Sequence, residues 1–242
     1  MKKLYILKTG STYPAIKKQH GDFEDWILEG LNRSKEQVMV RDAQINSHPP
    51  SFETCAGIVI TGSHSMVTDS SDWINRVIQW LPDAVELKIP ILGICFGHQL
   101  LAQAMGGKVK YNPGGREMGV NTIKKFSTAN DDLLFKTFPE QIEVLESHRQ
   151  SVIELPTSAK VLYYNDHDQN QAYVINNSTW GIQFHPEFNE SIMKAYIYHQ
   201  KEELEKEGFS LTKLIKDLNH FNRNQNILTR FLEIVENEII YQ

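Results

Sequence analysis

The sequence predicts an α/β fold: a mainly parallel sheet with helices on both faces, an antiparallel extension and a helical C-terminal region. Three observations predict it. Up to Gly107, short apolar runs alternate with segments of helical period, the pattern of a helix-covered parallel sheet. Between Gly106 and His185 the texture changes to short β-rich runs separated by turn residues. From Glu190 onward apolar residues return to helical spacing.

The elements follow in order. KKLYILKTG (2–10) is β-branched and aromatic, ends on Gly10 and reads as a strand. DFEDWILEGL (22–31) places Phe23, Trp26, Ile27 and Leu31 on one helical face. EQVMVRDAQ (36–44) is a second strand, and CAGIVITG (55–62) is apolar enough for a strand buried on both faces. Trp73 to Leu87 is helical in period, with a kink or break expected at Pro82. IPILGI (89–94) is another buried strand, and FGHQLLAQAM (96–105) is a helix stopped by Gly106 and Gly107. GGKVKYN, GVNTIKKF, QIEVLESH, AKVLYYND, QAYVIN and TWGIQFH are the short strands of a mixed or antiparallel extension. ESIMKAYIYHQKEELEKEG, LTKLIKDLNHF and NILTRFLEIVENEII form the tail.

With no repeat, Pro-rich linker or low-complexity tract, 1–242 is expected to be one domain, its core reaching about residue 190. A 40% hydrophobic, 23% charged composition is that of an ordinary globular chain. A net charge of -5 gives no basic stripe for nucleic acid. Leu4 to Leu7 is too short for a signal core, and no run is apolar for long enough to cross a bilayer. The two cysteines, Cys55 and Cys95, make neither a CxxC pair nor a disulfide framework. A cytoplasmic protein with no metal, cofactor, nucleic-acid or membrane partner is the expectation.

The segment with chemistry is IPILGICFGHQLLAQAMGG (89–107). A buried strand runs into Gly93-Ile94-Cys95-Phe96-Gly97 and a helix starts at once. Glycines two residues either side of Cys95 permit a sharp strand-to-helix turn that lifts the thiol above the sheet edge. The turn also sets the sulfur at a helix N-terminus, which favours the attacking thiolate. The bland alternative is a buried core cysteine, where free cysteines usually sit. A thiol that attacks an amide needs a base. His185-Pro186-Glu187, at the end of the strand WGIQF, offers an imidazole with a carboxylate to orient it.

LGICFGHQLLAQAMGGKV (92–109) resembles the nucleophile segment of the class I (triad) glutamine amidotransferases. TGSHSMV (61–67) resembles their oxyanion loop, GIQFHPEF (181–188) their His-x-Glu segment, and SHRQSV..LP (147–156) their substrate loop. The segments stand in family order and spacing. Both the glutaminase domain of GMP synthase and the γ-glutamyl peptidases are similar. The resemblance implies a flavodoxin-like core and a triad of Cys95, His185 and Glu187. It implies oxyanion donors at the N–H of Phe96 and at Gly62 or Ser63, and substrate contacts at Gln99, Ser147 and His148. Ser63 and His64 depart from the usual Gly-Pro of the oxyanion loop, and Arg149 and Gln150 from the usual Gly-Asp. Arg116 and Glu117 fall either near the site or in a solvated turn.

Three readings stay open. The first is a glutaminase that supplies ammonia to an acceptor, its partner being a synthase on a separate subunit. No GxxxxGK[ST] or SGGxDS-like loop occurs in this chain. The second is a γ-glutamyl peptidase or hydrolase with the same triad, and the third a non-catalytic flavodoxin-like binding protein. The tail stripes Leu211, Leu214, Ile215, Leu218, Phe221 and Ile227, Leu228, Phe231, Leu232, Val235, Ile239, Ile240 pack either on the chain's own sheet or on a partner, a second copy or a synthase.

Overall fold

The apolar runs of the first half line up side by side in the computed structural model, which describes residues 2–45, 49–69, 71–221 and 226–240, with side chains up to Asn237. The first strands are β1 (Lys3–Lys8), β2 (Met39–Asp42), β3 (Cys55–Ile60) and β4 (Ile91–Ile94). The later ones are β5 (Lys108–Tyr111), β6 (Glu117–Lys125), β7 (Gln141–His148), β8 (Gln150–Glu154), β9 (Ala159–Tyr164), β10 (Ala172–Ile175) and β11 (Thr179–Ile182). Among the described residues nine strands form one sheet in the order β2-β1-β3-β4-β11-β10-β9-β6-β7, and β5 pairs with β8 in a separate ribbon. Pairing is parallel from β2 through β11 and antiparallel from β11 to β7.

The helices are α1 (Pro14–His20), α2 (Phe23–Leu31), α3 (Asp72–Glu86), α4 (Phe96–Ala104), α5 (Glu190–His199), α6 (Lys201–Lys206), α7 (Leu211–Leu218) and α8 (Ile227–Ile240). Apolar residues of α3 and α4 pack with Ile58, Ile60 and Ile91 on one face of the sheet. Those of α2 and α8 pack with Ile6, Val59 and Leu92 on the other, the expected flavodoxin-like arrangement of helices on both faces. A third cluster joins Phe23 and Trp26 to α5, α7 and the strand residues Met118 and Leu145. The start of α2 is fixed by Asp22, which accepts from Phe23 N (3.0 Å) and Thr12 N (2.8 Å) and pairs with the buried Lys8 (2.7 Å).

Of the kink or break expected at Pro82, the break does not occur, because α3 continues from Asp72 to Glu86 through it. A proline removes one backbone donor from a helix. The buried stripe Ile74, Val77, Leu81, Ala84 and Val85 holds the helix on the sheet regardless. Among the α-helices and strands, α1 and β8 have no counterpart in the sequence reading; the latter lies inside the segment that resembles a substrate loop.

The tail packs on the chain itself. Ile227, Leu228, Phe231, Leu232 and Val235 of α8 are buried in the cluster that holds β1, β3 and α2. Leu228 fills the space above Gly30, where an added Cβ would lie 2.3 Å from its Cδ1. In α7, Leu214 and Leu218 are buried together with the following Phe221, while Leu211 and Ile215 are partly buried. The side chains of Ile239 and Ile240 lie outside the described residues.

Candidate active site

Sheet order brings the distant motifs together. β4 lies between β3 and β11, all parallel, so the loops that leave their C-terminal ends emerge side by side. Gly62 and Ser63 follow β3, Cys95 follows β4, and His185 follows β11.

Cys95 makes the turn from β4 into α4 with φ 50° and ψ −98°, outside the regions open to ordinary side chains. Such a conformation costs about 1–3 kcal/mol and persists only where the surroundings impose it. Cys95 N donates to Ile182 O (2.8 Å), and Cys95 O accepts the first helical bond from Gln99 N (3.1 Å). The flanking glycines let α4 descend onto the sheet. A Cβ at Gly93 would stand 2.5 Å from Gly97 O, and one at Gly97 would stand 2.6 Å from Ile60 O. The second cysteine is different. Cys55 is buried at the start of β3, and burial pushes its thiol up to about 12.

His185 N donates to Leu145 O (2.9 Å), which ties the loop after β11 to β7. Its ring stacks on Phe188 with centroids 4.1 Å apart. Nδ1 lies 2.7 Å from Glu187 Oε1, with both residues buried, and the ring also hydrogen-bonds Cys95. Burial alone would push the imidazole down. The Glu187 carboxylate, the Cys95 sulfur and the hydrogen bonds to both outweigh it and push it up to about 10.

The loop after β3 is held by hydroxyls. Thr9 donates to Thr61 O (2.9 Å) and Gly62 O (3.1 Å); Ser63 Oγ donates to Thr9 O (2.9 Å) and accepts from Ser65 N (3.1 Å). Neither Gly62 nor Ser63 has a positive φ, so serine sits there without backbone strain. Gly62 packs against the imidazole, since a Cβ there would lie 3.2 Å from His185 Cε1. His64 packs against Tyr13 with the rings tilted by 36° and centroids 4.1 Å apart.

A cavity of about 220 Å³ gathers Cys95, Phe96, Ser63, Gln99, Ser147, His148 and His185. Gly62 and Glu187 do not line it and adjoin it through the ring of His185. Gln99 Nε2 donates to Gln150 O (2.7 Å) and Gln183 Oε1 (2.9 Å), which fixes the side chain at the cavity wall. The ring of His148 is committed inward: Nδ1 lies 3.0 Å from Gln150 O, and Nε2 lies 3.1 Å from Glu117 Oε2 and 3.3 Å from Glu146 Oε2. Burial opposes its charge, but the two glutamates hold it well above 6.5. Of those two, Glu146 is pushed up to about 8, first by burial, while Glu117 is held below its usual range despite burial by His148 and Asn165.

The reading of Arg116 and Glu117 as a solvated turn is overturned, because both are buried and Arg116 lines the cavity. The fold also brings ligand atoms of Glu117, His148 and Asp168 within 4.8 Å of one another, a convergence with no signature in sequence spacing. Residues that the sequence does not single out complete the wall. They include Tyr13, Phe23 and Met66, and Tyr196, Gln200 and Glu203 from beyond residue 190, so the tail's first helices belong to the site.

A cysteine at a strained strand-to-helix elbow, at the C-terminal end of a mainly parallel sheet and facing a buried histidine–carboxylate pair, defines the α/β class of this protein and its candidate site. Comparison with known proteins gives the family. Residues 19–203 match the model of Glutamine amidotransferase class-I, and the chain belongs to that family. It is 31% identical over 182 residues to gamma-glutamyl peptidase 4 of Arabidopsis thaliana, spanning 73% of this chain and 72% of that one. It is 43% identical over 105 residues to the glutamine-hydrolyzing GMP synthase subunit of Saccharolobus solfataricus, spanning 42% of this chain and 53% of that one. The fold superposes on a glutamine amidotransferase from Thermotoga maritima with a TM-score of 0.74 at 22% identity, covering 100% of both chains. Among the described residues no helix is long and apolar enough to cross a membrane.

Proposed function

We propose that this chain cleaves a γ-glutamyl amide through a thioester on Cys95. One observation carries the reading: the strained Cys95 shares a cavity with His185, whose Nδ1 is 2.7 Å from Glu187 Oε1. The sulfur attacks the γ-carbonyl carbon, and the carbonyl electron pair moves onto oxygen. Backbone N–H groups of Phe96 and of Gly62 or Ser63 hold that oxyanion. As the C–N bond breaks, His185 gives its proton to the leaving nitrogen, and the γ-glutamyl thioester remains. Water then gives a proton to His185 and attacks the thioester. Glutamate leaves and the sulfur is restored. Glu187 keeps the imidazole oriented and stabilises its charge.

The first substrate is glutamine, with ammonia passed to an acceptor on a separate synthase subunit; the similarity to the glutamine-hydrolyzing GMP synthase subunit supports this. The second reading is a γ-glutamyl peptidase. It is supported by a similarity that spans 73% of the chain rather than 42%. A non-catalytic binding protein would leave the backbone strain at Cys95 without a use.

Cys95→Ala is expected to remove essentially all ammonia or amine release from glutamine and γ-glutamyl dipeptides, while the circular-dichroism melt stays cooperative. A folded variant with undiminished turnover would overturn the proposal. A glutamine-like diazoketone is expected to alkylate Cys95 in the wild type and to leave Cys55, buried at the start of β3, unmodified.

A further inference from the structure

The rim of the cavity carries charges that the proposed reaction does not use. The Arg116 side chain is 3% exposed and directs all three guanidinium nitrogens into the protein. Nη1 meets Gln200 Oε1 (2.9 Å), Nη2 meets Glu203 Oε2 (3.1 Å), and Nε lies 3.0 Å from Glu207 Oε2. Arg149 meets the same two glutamates through one nitrogen, Nη2, at 2.7 Å from Glu203 Oε2 and 3.1 Å from Glu207 Oε1. A guanidinium has further donors to offer, and this one is 39% exposed. Glu203, 60% exposed, faces the same cavity as Cys95. Glu207 faces a neighbouring cavity instead, of about 520 Å³, which shares Arg116 and Arg149 as walls.

The roles therefore divide. Arg116 is a buried anchor, and Glu203 and Arg149 are an open anion–cation pair at the mouth. A γ-glutamyl group carries an ammonium and a carboxylate on the carbon farthest from the scissile amide. A cavity that selects it must offer an anion beside a cation, away from the thiol. We infer that Glu203 receives the α-ammonium and Arg149 the α-carboxylate of the substrate. In the free protein the two neutralise each other. The bound zwitterion inserts between them and leaves the charge balance unchanged. This inference rests on the γ-glutamyl reading above and assigns its specificity to a residue of α6.

Three acyl groups test it, each as the primary amide and as the p-nitroanilide: γ-glutamyl, glutaryl (no amine) and 4-aminobutyryl (no carboxylate). The wild type is expected to prefer γ-glutamyl over either by about tenfold or more, the scale of one charge-assisted hydrogen bond. Glu203→Gln is expected to lose that factor on γ-glutamyl, in KM rather than kcat, and to leave glutaryl unchanged. Arg149→Gln is expected to do the same relative to 4-aminobutyryl. Glu207→Gln, which disturbs the same arginines from the other cavity, is expected to leave both preferences intact. An equal loss on all three acyl groups, or the same shift from Glu207→Gln, would show a merely structural rim and overturn the inference. A wild type that cleaves all three alike would also overturn it, while the γ-glutamyl reading of Cys95 stands. Absence of Cys95-dependent cleavage of any of them overturns both.

Discussion

The proposed chemistry turns on His185, because its charge is held by two different neighbours. Glu187 sits on one ring nitrogen and Cys95 bonds the other side, and together they outweigh burial to push the imidazole up to about 10. A raised basic pKa has a fixed sign. The stabilisation of the fold by charged His185 is complete below its ordinary value of 6.5 and is lost as pH rises through about 10. The proposed leaving-group step needs the imidazolium, so kcat is expected to fall along an alkaline limb in the same range. Glu187→Gln removes the carboxylate, and that limb is expected to move to lower pH while kcat drops by about 100-fold or more. His185→Ala is expected to cost at least as much again, since the other charged imidazole of the cavity, His148, is committed to Gln150 O, Glu117 and Glu146. A pH–rate profile of the glutamine variant with an unmoved limb would contradict the roles given to the pair.

At the scale of elements, the site depends on how closely α4 sits on the sheet. Gly93→Ala would press a methyl group to 2.5 Å from Gly97 O, which is backbone and cannot swing away. Overpacking of this kind costs about 1–3 kcal/mol and displaces the elbow. The variant is expected to show a lowered urea midpoint together with an activity loss larger than its unfolded fraction explains; a neutral result would mean that the turn has slack. The elbow is legible in the sequence because its constraint is local: two glycines, a cysteine between them and an abrupt change from strand to helix. The elements that the sequence hides have equally local causes. α1 buries only Ile16, so it writes no apolar stripe. β8 pairs with β5 across a span in which QSVIE reads as part of a loop. Pro82 signals a break, but the buried stripe of α3 outweighs one lost backbone bond. The rim of Arg116, Arg149, Glu203 and Glu207 depends on contacts between residues far apart in the chain, and no spacing rule finds it.

The whole molecule is organised around one sheet edge, where three adjacent parallel strands deliver three motifs to one cavity. The helical tail serves that edge in two ways. α5, α6 and the residue between them supply Tyr196, Glu203 and Gln200 to the cavity wall, and α7 and α8 close the hydrophobic core. This distinction decides what a truncation after Gly208 does. The cut keeps the cavity residues and removes Leu214, Leu218, Phe221, Ile227, Leu228, Phe231, Leu232 and Val235, all buried. At about 1.5–3 kcal/mol for each large apolar side chain, the loss is on the order of 10–20 kcal/mol. Domains of this kind are stable by only about 5–15 kcal/mol. The truncated chain is therefore expected to be insoluble, or to lack a cooperative thermal transition, even though Cys95, His185 and Glu187 are all present. A milder change separates core from interface. Phe231, buried edge-on against Trp180 with centroids 6.2 Å apart, is expected to cost about 3–5 kcal/mol when cut to alanine, with the hydrodynamic radius of the folded protein unchanged. If the truncated protein instead stayed folded with Cys95 reactive and only its size or its partner binding changed, the tail would be an interface, and the packing of α8 on β3 would not be what holds this domain together.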